Sequence, residues 1–224
     1  MFRMLLWKEW KENLWKLCFC SAASIAFTAM LFRIRITPDL ANCVTISIIQ
    51  MFAVPIVYAL DIFSGEMSNR TIHLLFKIPV GRRMIFFSKY LISVSGIGLI
   101  FIVTGVLMES MSGGREAPTF YLLKINLLCG IAAFVLFTWF CAFGCQTRSE
   151  AASLVAMFAV FIGWAIVFFW AMVCEVNWVR HITPYYLVQI DATVSPWTIL
   201  CQIPGLALVL YIACDRYADI RRYI

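Results

Sequence analysis

Charge is what this chain is short of. Asp, Glu, Lys and Arg make up 13% of its 224 residues, against 63% hydrophobic, where a soluble domain carries about 25% charged residues. A water-soluble helical fold also needs helices with a polar face, and the stretch Ala151–Cys174 has neither a charge nor a polar side; both features exclude a soluble domain. No Asp, Glu, Lys, Arg or His stands near the middle of any apolar run, because Asp61, Glu109, Lys124, Glu175 and Asp215 all sit at or just outside run ends. Carriers and pumps driven by protons or sodium place ionisable groups at depth to ligate the coupled ion, so this absence argues against ion-driven transport and against hydrolysis within the membrane.

Other absences narrow the function further. There is no Gly-x-x-x-x-Gly-Lys-Ser/Thr loop to cradle ATP phosphates, and no nucleophile–base constellation. The nine cysteines are odd in number and contain no Cys-x-x-Cys pair. Cys141 and Cys145 are spaced i, i+4, but His73 and His181 are far from them in sequence, so the cysteines read as small apolar residues and no metal is expected. If the protein moves something, the energy comes from outside this chain, and the chain itself is not an enzyme.

What is present is length in apolar runs. A hydrocarbon core about 30 Å thick takes about 20 apolar residues as helix, and only helices or closed barrels satisfy their backbone groups there. Six continuous, non-alternating runs come close to that length: Leu17–Phe32, Leu40–Ile62, Tyr90–Met108, Ile125–Gly144, Ala151–Cys174 and Pro196–Cys214. The expected fold is all-α and polytopic, one transmembrane domain over residues 1–224. Residues 1–16 form an interfacial helix, 17–62 spans one and two, 63–89 a cytoplasmic region, 90–214 spans three to six, and 215–224 a tail. The first run is short, with Lys16 and Arg33 placed to snorkel. It is followed by Leu31-Phe32-Arg33-Ile34-Arg35, with no small-x-small cleavage site, and reads as an uncleaved signal anchor. Pro55 and Pro204 can kink the second and sixth spans, either as accommodation or as a gate. Asn42, Gln50, Asn126 and Gln202 suit hydrogen bonds between helices, with substrate contact as the alternative.

Positive charge orients the array. With six spans, one side receives Arg3, Lys8, Lys11, Lys16, Arg70, Lys77, Arg82, Arg83, Lys89, Arg148, Arg216, Arg221 and Arg222; the other receives Arg33, Arg35, Arg115, Lys124 and Arg180. Thirteen of the eighteen basic residues therefore flank the side that holds both termini, which predicts cytoplasmic termini in the cell membrane. The net charge of +6 is explained by anionic lipid and topology, so no nucleic-acid partner is expected.

Two cytoplasmic elements stand out. From Leu5 to Lys16, the residues Leu6, Trp10, Leu14 and Leu17, with Trp7 at the margin, share one face at 100° per residue, and Lys8, Glu9, Lys11, Glu12 and Lys16 share the other. This predicts a helix lying flat in the interface, anchored by Trp7, Trp10 and Leu14. Between the second and third runs, Glu66–Lys77 predicts a short helix ended by Pro79, followed by a long helix through Arg82, Arg83 and Lys89 into the third span. Such a connection is often a docking surface. In the fourth gap, Thr147 and Glu150 have capping-box spacing.

These motifs resemble those of the permease subunits of type-2 ATP-binding-cassette exporters. Leu6-Trp7-Lys8-Glu9-Trp10-Lys11-Glu12 resembles that family's opening "l-x-K-E-x-r-E". Glu66, Thr71, Leu74-Leu75, Pro79-Val80, Arg82 and Lys89 resemble its "E…gT…lL…PvsR…gK" signature, with Arg70 and Ser88 at positions where the family has Gly. Arg148-Ser149-Glu150-Ala151-Ala152 resembles the turn before its fifth span, and the segment His181–Leu187 the Pro/aromatic stretch before its last. The resemblance implies an N-terminal connecting helix and a coupling helix between spans two and three. It implies that Glu66, Arg70, Thr71, Leu74, Leu75, Pro79 and Arg82 meet a separate ATPase subunit that binds the ATP. It also implies a second permease protomer, homo- or heteromeric, with membrane lipid around the pair and substrate passing between protomers. A non-transporting membrane scaffold is the alternative, and it leaves the ordered Glu/Thr/Leu/Pro/Arg series unexplained.

Overall fold

The computed structural model describes residues 2–33, 40–60, 81–112, 121–144, 149–184 and 196–219, and among them only helix and short connecting turns occur. The helices are α1 (Phe2–Arg33), α2 (Leu40–Ala59), α3 (Arg82–Ser112), α4 (Tyr121–Gly144), α5 (Glu150–Val173), α6 (Asn177–Ile182) and α7 (Pro196–Ala218). Three of these are long and apolar enough to cross a membrane: Arg82–Met111, Tyr121–Gly144 and Ala151–Val173. Helix α2 adds a shorter apolar stretch, Thr45–Ala59. The expected first and sixth runs fall inside α1 and α7, and Pro55 and Pro204 both stand within unbroken helices.

Helix α4 is the centre. It packs against α2, α3, α5 and α7, and most of its residues are buried, whereas α5 is largely exposed. Its start is capped from the preceding helix: Glu109 Oε2 accepts from the Leu122 and Leu123 amides at 3.2 and 3.4 Å, satisfying two donors that have no partner inside the helix. An aromatic column joins three helices. Tyr90 stacks on Phe137 with centroids 5.6 Å apart, and Phe86 packs at 5.6 Å from Tyr217. The Tyr90 hydroxyl pairs with Thr138 Oγ1 at 2.8 Å. Helix α5 turns most of its apolar side outward, with Val155, Ile166, Phe169 and Val173 all exposed.

Two local expectations are corrected. The interfacial helix and the first run were expected as separate pieces meeting near Lys16. They form one 32-residue helix, about 48 Å long, because no Gly or Pro interrupts residues 2–33. The N-cap of α5 is Ser149, not Thr147: its backbone is extended (φ −130°, ψ 149°) and its hydroxyl accepts from the Ala152 amide at 3.2 Å, the usual role of a serine at that position.

Candidate functional site

The start of α1 buries a polar stripe. Leu5, Glu9, Asn13, Lys16, Cys20, Ser24 and Thr28 recur every three or four residues and are all buried, so they form one helix face. That face packs against α3. The expected division of α1 into an apolar and a charged side is therefore only half of what occurs. Lys8, Lys11 and Glu12 do point outward, with Lys8 and Glu12 in an exposed pair at 3.5 Å. Glu9 and Lys16, placed on that same side by the wheel, turn inward instead.

Burial of Glu9 is possible because α3 supplies a partner. Lys89 Nζ donates to Glu9 Oε2 at 3.1 Å, and the two side chains are 5% and 2% exposed. Around this pair the stripe is cross-tied: Asn13 Nδ2 donates to the Glu9 carbonyl at 2.8 Å, and Lys16 Nζ donates to Asn13 Oδ1 at 2.6 Å. On α3, Ser88 Oγ donates to the Ile85 carbonyl at 2.8 Å. The other carboxylate oxygen of Glu9, Oε1, is buried without a hydrogen-bond partner. Breaking such a pair from one side costs about 3–5 kcal/mol, because the remaining charge stays buried.

The groups around this pair set its surroundings. Arg82, at the first turn of α3, donates to the Ala218 carbonyl at the last turn of α7 at 3.0 Å. Its neighbour Arg83 makes an exposed pair with Asp215 at 3.4 Å. Both join the start of α3 to the end of α7. On α1, Trp7 and Leu14 are exposed (62% and 45%) and Trp10 is half-buried. An open groove of about 880 Å³ lies beside them, lined by Arg3, Met4, Leu6, Trp7, Trp10 and Ile92. Lys11 sits 5.6 Å from the Trp7 ring centroid, a cation–π distance. Of the residues expected to meet an ATPase, Glu66, Arg70, Thr71, Leu74, Leu75 and Pro79 lie outside the described residues.

A second polar cluster lies towards the other ends of these helices. Ser47 Oγ donates to Asn126 Oδ1 at 2.8 Å, and Asn126 Nδ2 donates to Thr104 Oγ1 at 3.0 Å and to the Phe101 carbonyl. Thr104 Oγ1 reaches Gln50 Oε1 at 3.3 Å. The cluster ties α2, α3 and α4 together, the inter-helix role expected of Gln50 and Asn126. Between α6 and α7, Gln202 Nε2 donates to the Thr183 carbonyl at 3.2 Å, and His181 Nδ1 pairs with Thr198 Oγ1 at 2.9 Å. Among the described residues, no group of three or more His, Cys, Asp or Glu side chains comes together in a metal-binding arrangement.

Sequence reasoning missed the Glu9–Lys89 pair. Its signal was available, because both residues fall in the motif stretches, Glu9 before the first apolar run and Lys89 after the second. The family described as "ABC-2 family transporter protein" matches residues 5–166, a range that contains Glu9, Lys89 and everything between them. No curated protein matches the chain.

Proposed function

We propose, from the premise that this chain belongs to the ABC-2 family of transporter proteins, that it is the membrane-spanning permease of an exporter powered by a separate ATPase chain. Members of that family are membrane components of transport, not catalysts, and the apolar helices of this chain agree with a place in the membrane. In this reading both termini are cytoplasmic and the membrane is the cell membrane. Residues 63–89 are the coupling region, with Glu66, Arg70, Thr71, Leu74, Leu75 and Pro79 against the ATPase and Arg82 at the turn into α3. Trp7, Trp10 and Leu14 seat the start of α1 in the lipid interface. Two protomers pair, and closure of the ATPases on ATP shifts them between inward-open and outward-open states.

The observation that carries the reading is the family match over residues 5–166. The Glu9–Lys89 pair supports it, because it ties the first helix to α3 where the coupling region ends. The test is purification of the chain from its native membrane. An ATPase chain bearing a phosphate-binding loop should co-purify and hydrolyse ATP in the complex. Glu66→Lys should lower the rate of transport per ATP hydrolysed without affecting membrane insertion. Recovery of the chain without any ATPase would favour the scaffold alternative.

A further inference from the structure

We propose that the groove beside the start of α1 holds one anionic phospholipid, with its phosphate between Arg3 and Lys11 and an acyl chain along Trp7, Trp10 and Ile92. This needs the chain to lie in a membrane; it does not need the chain to export anything.

Three observations carry it. The first is the lining. Among the described residues around this groove of about 880 Å³, Arg3 brings the charge, and Met4, Leu6, Trp7, Trp10 and Ile92 bring apolar surface. A small polar anion gains nothing from such walls, and a plain hydrocarbon leaves the guanidinium unused. The occupant that fits has an apolar body and an anionic head, in a space within the usual range of ligand pockets, about 300–1,000 Å³.

The second is the charge at the rim. Among the described residues, neither Arg3 nor Lys11 has an ion-pair partner. Lys11 stands over the Trp7 ring, which leaves its ammonium able to meet an anion as well. The acids of the same stretch are already engaged. Glu12 pairs with Lys8, and Glu9 is turned to the buried face, where it pairs with Lys89. The rim is therefore cationic.

The third is depth. At about 48 Å, α1 is longer than a hydrocarbon core of about 30 Å, and its apolar run, Leu17–Phe32, occupies its far half. Arg3 to Trp10 thus stand at the level of the headgroups, where Trp rings gather and cations beside anionic lipid are favoured. Ile92 lies just inside the apolar run Tyr90–Met108. A groove reaching from Arg3 to Ile92 runs from the headgroups to the edge of the hydrocarbon, which is the path a phospholipid takes.

The test counts bound lipid. The full-length chain, with any chain that co-purifies, is stripped of lipid in detergent and titrated with phosphatidylglycerol or with phosphatidylcholine, and native mass spectrometry reads the lipids held per copy. One phosphatidylglycerol should bind ahead of any phosphatidylcholine. Arg3→Ala and Lys11→Ala should each weaken it about fivefold, the effect of one cation beside an anionic headgroup. Trp10→Ala should weaken it too, through the acyl chain. Lys124→Ala, an exposed cation at the start of α4, should leave it unchanged. Equal affinity for the two lipids overturns the proposal, and this is also the result if a second copy or another segment of the chain covers the groove. A loss with Lys124→Ala as large as with Arg3→Ala overturns it as general charge attraction. Displacement of the lipid by excess inorganic phosphate overturns it in favour of a phosphate site, and unchanged binding to Trp10→Ala overturns the acyl-chain placement. Arg3 and Lys11 are both exposed, so their variants should fold; if one cannot be purified, the other decides against the same control. If no ATPase co-purifies, the exporter reading fails, while the titrations still decide the lipid site.

Discussion

The Tyr58 hydroxyl stands 2.5 Å from the point that a Cβ on Gly96 would occupy, with the ring Cζ at 2.9 Å. Tyr58 is 1% exposed, and its hydroxyl has no hydrogen-bond partner. Gly96 is thus a space held open for the Tyr58 ring between α2 and α3.

Gly96→Ala should destabilise the protein by about 1–3 kcal/mol, the usual cost of overpacking a filled core. Tyr58→Phe alone should be close to neutral, because the hydroxyl it removes is not hydrogen-bonded. The double variant should recover part of the loss, since the contact with the hydroxyl goes and the one with Cζ stays. Thermal unfolding of the three purified variants in one detergent measures all of this. A Gly96→Ala protein as stable as the parent would show that the ring has room to move.

Asn126→Leu removes the amide that bridges α2, α3 and α4. Hydrogen bonds between membrane helices contribute about 0.6–2 kcal/mol, so a loss of about 1–2 kcal/mol is expected. Ser95→Ala is the control. Its hydroxyl is exposed and bonds only its own helix, to the Leu91 carbonyl, and stability should not change. Equal effects from both substitutions would deny the Asn126 cluster its role between helices.

Arg82 and Arg83 are adjacent and basic, yet they should behave differently. Arg82→Ala removes a half-buried donor from the last turn of α7 and should speed amide hydrogen exchange at residues 216–219. Arg83→Ala removes a pair whose partners are 63% and 56% exposed, a contact with a typical contribution of about 0–1 kcal/mol. Exchange in α7 should stay at the parent rate. Hydrogen exchange read by mass spectrometry separates the two, and matching profiles would argue against the Arg82–Ala218 contact in solution.

The charge distribution predicts which positions face the cell interior. Cysteines introduced for Asn69 and Ile220 in a cysteine-free background should resist an impermeant maleimide in intact cells and react after permeabilisation. A cysteine for Arg115 should react in intact cells. Labelling of position 69 or 220 from outside would reverse the assigned topology.

The amino-acid order alone determined that this is a helical membrane protein, and its motif stretches pointed to the permease family that the match over residues 5–166 bears out. Both are local properties. Apolar length selects helix in a bilayer, and motif residues are read one by one. The run of α3 from Arg82 into the apolar stretch was legible for the same reason. Sequence periodicity also assigned Lys8, Lys11 and Glu12 outward correctly. It put Glu9 and Lys16 with them, because a helical wheel separates charged from apolar residues and has no means of showing that a charge meets its opposite on another helix. That decision belonged to the tertiary structure. Burial of Glu9 is unfavourable until α3 brings Lys89 to 3.1 Å, and the partner lies eighty residues away in the chain. The continuity of α1 was legible in the absence of Gly and Pro from residues 2–33, whereas the burial of its polar stripe depends on packing against another helix.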